Sequence, residues 1–340
     1  MKIVADENLA FTDYFFEGFD VDQVAGRTLS AQNADALIVR SVTRVDAQLL
    51  AKSSVQFVGS ATIGTDHLDI AYLEEQHIKW CNAAGCNAQA VAEYVVTALL
   101  QINSKFLHQN ITLGIVGLGN VGKRLSILAQ RLGWNVVAYD PFVTNTTWEE
   151  LLSQSDAISI HVPLTKTGDY PTYHLFNEAV FRQMKPETVL INSARGAVVS
   201  EQDLLEDIAR TQRKVVLDVF EHEPVISQAV LDAVTLVTPH IAGYSLEGKA
   251  RGTQMIYDQF CQFYQRLNTK DFKTQLPRCQ QYFGDLKSVL EEPQRLYDIA
   301  QDDANLRACL KNGVVEQSAF DALRKNYRLR REWASHGDIA

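Results

Sequence analysis

The sequence predicts an α/β chain built around a doubly wound parallel sheet, with a smaller α/β domain before it and a short, mainly helical domain after it. Three observations carry this reading. Apolar segments of strand length alternate with helical patterns over most of the chain. One of those segments runs straight into spaced glycines and a helix. Past Leu276-Pro277 the alternation stops, and residues 285–340 are helical in pattern and dense in charge.

The glycine stretch is Thr112 to Gly122, TLGIVGLGNVG. Ile111, Leu113, Ile115 and Val116 make a short apolar run of the kind a buried parallel strand shows, and Gly117, Gly119 and Gly122 follow as G-x-G-x-x-G. Val121, Leu125, Leu128, Ala129 and Leu132 then recur near helical spacing, with Gly133 placed to end the helix. Trp134 to Tyr139 is the next strand, and it delivers Asp140 at its carboxyl end. A lone G-x-G-x-x-G is weak evidence, because any sharp strand-to-helix reversal selects glycine. Here strand, glycines, helix, strand and acid stand in the order of a Rossmann-type dinucleotide site. The first glycine permits the tight turn, the second lets a pyrophosphate approach the backbone, and the third allows close helix packing. Gly117, Gly119, Asn120, Val121 and Gly122 are therefore expected at the cofactor, and Asp140 on its ribose hydroxyls. Residues 141–147, PFVTNTT, offer no Arg or Lys for a 2′-phosphate, which Asp140 would repel, so the expected cofactor is NAD rather than NADP.

Before this turn, Lys2 to Ala5, Ala36 to Arg40, Phe57 to Ala61 and Ile78 to Asn82 are short apolar segments separated by helix-like stretches, a small α/β domain. Residues 88–102, AQAVAEYVVTALLQI, form a strongly apolar helix that crosses into the nucleotide domain. After Asp140 come strands at Ala157 to Val162, Thr188 to Asn192, Val215 to Asp218 and Leu236 to Thr238, which brings the sheet to six. Two mononucleotide-binding halves would supply that number, and ligands of such sheets bind beyond the carboxyl ends of the strands. His161, Asn192 with Arg195, Asp218 with Glu223, and His240 all fall at or just past those ends. A long helix from Leu246 to Leu267 is expected to carry the chain back to the first domain.

Composition bounds the partners. A chain of 340 residues with 46% hydrophobic and 21% charged residues is expected to be a soluble protein of two or three domains. Its net charge of -9 argues against nucleic acid. The five cysteines are odd in number and show no C-x-x-C spacing, so reduced thiols in a cytoplasmic protein without a bound metal are expected. Met1 to Asp6 reads as a strand with no charged-then-apolar leader, and no apolar run approaches the length of a membrane span.

Three further segments hold residue types suited to one reaction: INSARGAVV (191–199), LDVFEHEP (217–224) and TPHIAGYS (238–245). Oxidising a 2-hydroxy acid requires its carboxylate to be clamped, its hydroxyl proton removed, and a hydride passed on. The planar fork of an arginine holds a carboxylate bidentately, an imidazole titrates near neutrality, and a carboxylate beside it fixes its tautomer. Taken singly, Arg195 could be a surface ion pair, Glu223 a solvated acid and His240 a satisfied strand-end histidine. His161 and His67 lack a comparable motif and are read as structural.

With the glycine turn upstream, these segments resemble the D-isomer-specific 2-hydroxyacid dehydrogenases. The resemblance implies that Arg195, Glu223 and His240 are catalytic. It narrows to a branch of that family that oxidises a phosphorylated 2-hydroxy acid in vitamin B6 synthesis. MKIVADEN at the start, VRSVTRV (39–45), ATIGTDHLD (61–69), EYVVTALL (93–100), HIAGYSLEGKARGT (240–253) and FDALRKNYRLRREW (320–333) are all similar to it. By matching position, Ser41, Thr62 and Tyr244 would touch substrate, and Asp140, Ala194, Asp218 and Gly243 would touch NAD. The implied domains are 1–92 with 246–275, a flavodoxin-like substrate or lid domain; 93–245, the NAD-binding Rossmann domain; and 276–340, a small dimerisation domain. Ala84 stands where the family has Pro before Gly85, and Val162 where it often has a Thr at the cofactor. The chain also stops at REWASHGDIA, which implies a different edge to the last domain. Arg40, Arg44, Lys249 and Arg251 are candidates for the substrate phosphate.

Two other readings stand beside this one: a related enzyme such as a phosphoglycerate dehydrogenase, and an NAD-sensing corepressor-like scaffold. Near the end of the chain Phe320, Leu323, Tyr327, Leu329 and Trp333 interleave with Arg324, Lys325, Arg328, Arg330 and Arg331. So small a domain would struggle to bury such aromatics alone, and a homodimer is expected.

Overall fold

Lys2–Asp6 (β1), Asp20–Val24 (β2), Ala36–Val39 (β3), Phe57–Ser60 (β4) and Lys79–Asn82 (β5) form a five-stranded parallel sheet in the computed structural model, which describes residues 1–337. The last residues of REWASHGDIA, and with them part of the altered edge expected there, lie outside the described residues. The strand order β2-β1-β3-β4-β5 is the flavodoxin-like one. Three of the apolar runs read from the sequence became strands covered on both faces, with Ile3, Ala5, Leu37, Ile38, Phe57 and Val58 fully buried, while the fourth, β5, is a half-buried edge strand. Asp20–Val24 was not foreseen. It is an edge strand of sequence DVDQV, largely open to solvent, so no apolar run marks it.

These strands belong to a compact unit of Met1–Asn87 and Tyr244–Gln280. Its helix Leu246–Phe263 sets Phe260 edge-on to Phe16 and Phe57, with ring centroids 5.3 and 5.7 Å apart. The helix ends four residues before Leu267, and Gln265 beyond it takes a left-handed conformation.

A second unit comprises Ala88–Gly243 and the chain from Gln281 onward. Its strands are Thr112–Val116 (β6), Asn135–Tyr139 (β7), Ala157–Ile160 (β8), Val189–Asn192 (β9), Val215–Leu217 (β10), Ile226–Ser227 (β11), Leu236–Val237 (β12) and Val314–Val315 (β13). Six of them make a parallel sheet in the order β12-β10-β9-β8-β6-β7. The chain steps from β6 outward to β7 and returns on the other side to β8, so the switch point where ligands bind lies at the carboxyl ends of β6 and β8. Only β7 stands outside β6, which makes the first half smaller than a full mononucleotide-binding half. Residues 141–147 do not pair there. They run directly into the helix Trp148–Gln154, which Thr147 and Glu150 start with a reciprocal capping box.

The C-terminal segment is built into this unit. Leu306, Val315 and Phe320 share a core with Phe220, Val237 and Ile226, and β13 pairs antiparallel with β11. Leu286, Val289, Tyr297, Ile299 and Trp333 share another with Tyr94, Leu99 and neighbouring residues of the helix Ala88–Ile102. Phe320 and Trp333 are thus covered by their own chain. They supply no argument for a second subunit.

Glu93 anchors this packing. It is buried on the helix Ala88–Ile102, where its Oε1 accepts the Trp333 amide at 3.0 Å and Gln89 Nε2 at 2.9 Å. Burial, reinforced by the charge of Glu332, raises its carboxyl to about 8, against the opposing hydrogen bonds and the charge of Arg330. The folded state therefore holds a proton that the unfolded chain releases near the ordinary 4.5. The resulting stability is complete below that pH and is lost as pH rises through about 8. Glu93→Gln keeps a neutral acceptor and has nothing to ionise, so its melting temperature should exceed the parent's most at pH 8 and converge with it near pH 5. Thermal melts across that range check this; parallel curves would mean that Glu93 stays ionised in the fold.

Candidate active site

At the end of β6 the chain turns through Gly117, whose φ is +93° and where a Cβ would meet the His161 carbonyl oxygen at 2.7 Å. A Cβ at Gly122 would lie 2.1 Å from the Gly117 oxygen, whereas one at Gly119 would meet nothing within 4 Å. Two of these glycines are thus required by packing, and the middle one leaves bare backbone at the start of the helix Asn120–Arg131. That arrangement suits a pyrophosphate, since the first amides of a helix favour an anion. Asp140 closes the same turn. Its Oδ2 accepts the Leu118 amide at 2.9 Å and its Oδ1 the Phe142 amide at 3.0 Å, which places a carboxylate beside the glycines for ribose hydroxyls. These residues suit a dinucleotide. Val162 packs its methyl against Gly117, at the position where a Thr would offer a hydroxyl.

The next loop follows β9. Asn192, buried at its end, accepts the Ala194 amide at 3.1 Å and donates to the Arg195 carbonyl at 2.9 Å, so one side chain sets the backbone of both. Arg195 itself is half-buried and donates from Nη1 to the Ala194 carbonyl. A Cβ on Gly196 would lie 1.8 Å from the Phe220 oxygen. Only glycine fits there, and its absence of a side chain lets the Arg195 loop press on the loop that leads to Glu223.

Past β12, His240 stands at φ +56°, in the left-handed region that a non-glycine residue seldom occupies. Its Nδ1 lies 2.7 Å from Glu223 Oε1. Burial opposes ionisation of Glu223, but the charge and hydrogen bond of His240, with the charge of Arg324, outweigh it and hold the carboxyl below its ordinary value. A carboxylate on Nδ1 assigns that nitrogen a proton and leaves Nε2 as the acceptor. Asp218, fully buried, accepts Thr238 Oγ1 at 2.6 Å and the amides of Ile241 and Ala242 at 2.8 and 2.9 Å. Burial raises its carboxyl above the usual range, opposed by the His240 charge and these three bonds. Gly243 follows this turn directly. Asp218 and Gly243 therefore border the histidine turn from either side of the sequence.

Ser41, Thr62 and Tyr244 lie in the first unit. Ser41 is exposed just past β3, and Tyr244 sits under Lys249 Nζ, 4.5 Å from its ring centroid. Thr62 Oγ1 lies 2.8 Å from Ser60 Oγ, which in turn lies 2.8 Å from His67 Nε2. Of the basic candidates, Arg40 is tied to the buried Asp6 at 2.9 Å, Arg44 to Asp46 at 2.9 Å, and Arg251 to the Cys86 carbonyl.

The two histidines read as structural are half-buried, each with a serine hydroxyl on Nε2. Burial lowers His161 to about 3 and His67 to about 4, so neither exchanges a proton near neutrality. Sequence reading did not single out Ser60, Thr238 or Tyr94. Tyr94 Oη lies 2.7 Å from Thr238 Oγ1, which makes the helix Ala88–Ile102 a support of the histidine turn. The sequence signal for that support was the polar tip of Tyr94 on a mainly apolar helix that also carries Glu93 and Thr97.

Comparison with known proteins gives the family of the chain. The family model described as D-isomer specific 2-hydroxyacid dehydrogenase, NAD binding domain, matches residues 86–242, and one described as a domain of unknown function (DUF3410) matches residues 284–337. The chain is 64% identical over 351 residues to an erythronate-4-phosphate dehydrogenase of Acinetobacter baumannii, with 99% of both chains covered. It is 61% identical over 351 residues, again with 99% of both covered, to the enzyme of the same name from Acinetobacter baylyi. Among solved structures, the NAD+-bound 3-phosphoglycerate dehydrogenase of Entamoeba histolytica is similar in fold, with a TM-score of 0.66 at 23% identity over 79% of this chain and 99% of that one. The extent and identity of the full-length matches show that the chain belongs to the erythronate-4-phosphate dehydrogenase group of the D-isomer specific 2-hydroxyacid dehydrogenases.

Proposed function

We propose that the protein oxidises 4-phospho-D-erythronate to 3-hydroxy-2-oxo-4-phosphobutanoate with NAD, a step toward pyridoxal 5′-phosphate, as a cytoplasmic homodimer. The observation that carries the chemistry is the 2.7 Å pair of His240 and Glu223, set with the Arg195 loop at the carboxyl ends of the sheet that begins at the glycine turn. Arg195 clamps the substrate carboxylate through its planar fork and so fixes C2. His240 Nε2 accepts the hydroxyl proton as the C2–H bond breaks and the C2–O double bond forms. Glu223 fixes the imidazole tautomer and stabilises its charged form. When bound, NAD supplies the acceptor for the hydride that leaves C2; Gly117, Gly119, Asn120, Val121, Gly122, Asp140, Ala194, Asp218 and Gly243 would hold it. Ser41, Thr62 and Tyr244 are the proposed substrate contacts.

The homodimer reading rests on the family resemblance and on an open cleft of about 1000 Å³ in the C-terminal segment. Leu296, Leu323 and Leu329 line it beside Arg295, Tyr297 and Arg328, a mixture that suits a protein interface. The cytoplasmic reading rests on an odd number of cysteines without C-x-x-C spacing. No helix among the described residues is long and apolar enough to cross a membrane.

The full chain should turn over 4-phosphoerythronate with NAD far faster than 3-phosphoglycerate, followed by absorbance of the reduced nicotinamide. His240→Asn should lower that kcat by roughly 10² to 10⁴ with NAD binding nearly unchanged. Full activity in the variant would remove His240 from the mechanism. Asp140→Ala should narrow the preference for NAD over NADP, and an unchanged ratio of kcat/KM values would restrict Asp140 to holding the turn. Sedimentation of the intact chain should give twice the monomer mass; a single-chain mass at micromolar concentration would overturn the dimer.

A further inference from the structure

The geometry points to Arg330, in the C-terminal segment, as a positioning residue for His240: its guanidinium clamps the backbone just past the histidine and holds the imidazole at its working angle. This inference rests on the proposed role of His240 as the base. It gives the segment described only as a domain of unknown function a part in the reaction within one chain.

His240 needs such a clamp. A non-glycine residue at φ +56° is strained, and such a conformation persists only where its surroundings over-determine it. The peptide groups that follow are gripped on both edges. Their amide edge is taken by Asp218, which accepts from Ile241 and Ala242. Their carbonyl edge is taken by Arg330, whose Nη1 donates to the Ile241 oxygen at 2.9 Å and whose Nη2 donates to the Ala242 oxygen. The same Nη2 reaches the Ala90 oxygen at 3.3 Å, which fastens the turn to the helix Ala88–Ile102.

The clamp is itself held. The Arg330 guanidinium lies 4.5 Å from the centroid of the Tyr297 ring, and Nη1 lies 3.4 Å from Tyr327 Oη. Both tyrosine hydroxyls donate to Asp302 Oδ2, at 2.8 and 3.1 Å. Three residues further on, the Trp333 amide is fixed by Glu93. A planar fork suits the task. It can address two successive carbonyls and a third at once, where an ammonium would hold one point.

The test is a double-mutant cycle in the full chain: parent, Arg330→Lys, His240→Asn and the pair, with kcat and KM for 4-phosphoerythronate, NAD affinity by fluorescence, and hydrogen exchange at the Ile241 and Ala242 amides. Arg330→Lys should lower kcat about tenfold to a hundredfold while KM and NAD affinity stay put, since a small misplacement of a reacting group costs on that scale. The double variant should be no slower than His240→Asn alone, because the clamp acts through the imidazole. Exchange at the two amides should quicken. Unchanged kcat, losses that multiply in the double variant, or a fall in kcat matched by an equal fall in NAD affinity would each overturn the inference. Should Arg330→Lys not fold, Tyr327→Phe keeps the guanidinium, loosens its seat and enters the same cycle with losses in the same direction. If the parent itself fails to turn over the phosphorylated acid, the proposed function falls separately, and unchanged exchange in the variant would then overturn the clamp.

Discussion

The buried carboxylate of Asp218 is the interaction on which the active end of the second sheet depends. A charge taken out of water costs several kcal/mol unless donors replace the solvent. At the end of β10 three donors do so, and all of them belong to the turn after β12. Meeting that demand ties two neighbouring strand ends together and dictates the backbone path through Pro239 and His240. The left-handed histidine follows from this constraint.

The same economy recurs at the adjoining strand ends. Asn192 sets the loop of Arg195 with its amide, and the bare Cα of Gly196 lets that loop lie against the Phe220 carbonyl. Asp140 sets the glycine turn by accepting a backbone amide from it. In each case a short polar side chain at a carboxyl end fixes the backbone beside a proposed site residue. Burial keeps His161 and His67 neutral, while His240 stands past β12 with a carboxylate on its Nδ1.

Much of this was legible in the sequence because it rests on local rules. The six strands of the second sheet announced themselves as apolar runs, and the glycines and Asp140 by their spacing. What was missed depends on contacts between distant residues. The edge strand Asp20–Val24 is held by backbone pairing with β1 and by polar contacts such as Asp22 with Lys2, which leave little apolar signature. The C-terminal aromatics looked like an interface because nothing in their own stretch could cover them, yet the helix Ala88–Ile102 and the β10 and β12 strand ends, far back in the chain, do so. Arg330 stood in a run of cations that reads as a solvated face. Only the fold reveals that its fork meets carbonyls some ninety residues earlier.

The interleaving of the two compact units has a consequence for synthesis. The first draws on Met1–Asn87 and Tyr244–Gln280, and the second on Ala88–Gly243 and the chain beyond Gln280. Neither has its whole core until the ribosome has passed residue 280, and at about 5–20 residues per second that is a delay of many seconds after the first strands emerge. During it, β1 and β3 lack the aromatic helix that covers them, and the helix Ala88–Ile102 lacks its cover from Tyr297 and Trp333. The nascent chain therefore keeps these apolar surfaces uncovered for most of its own translation.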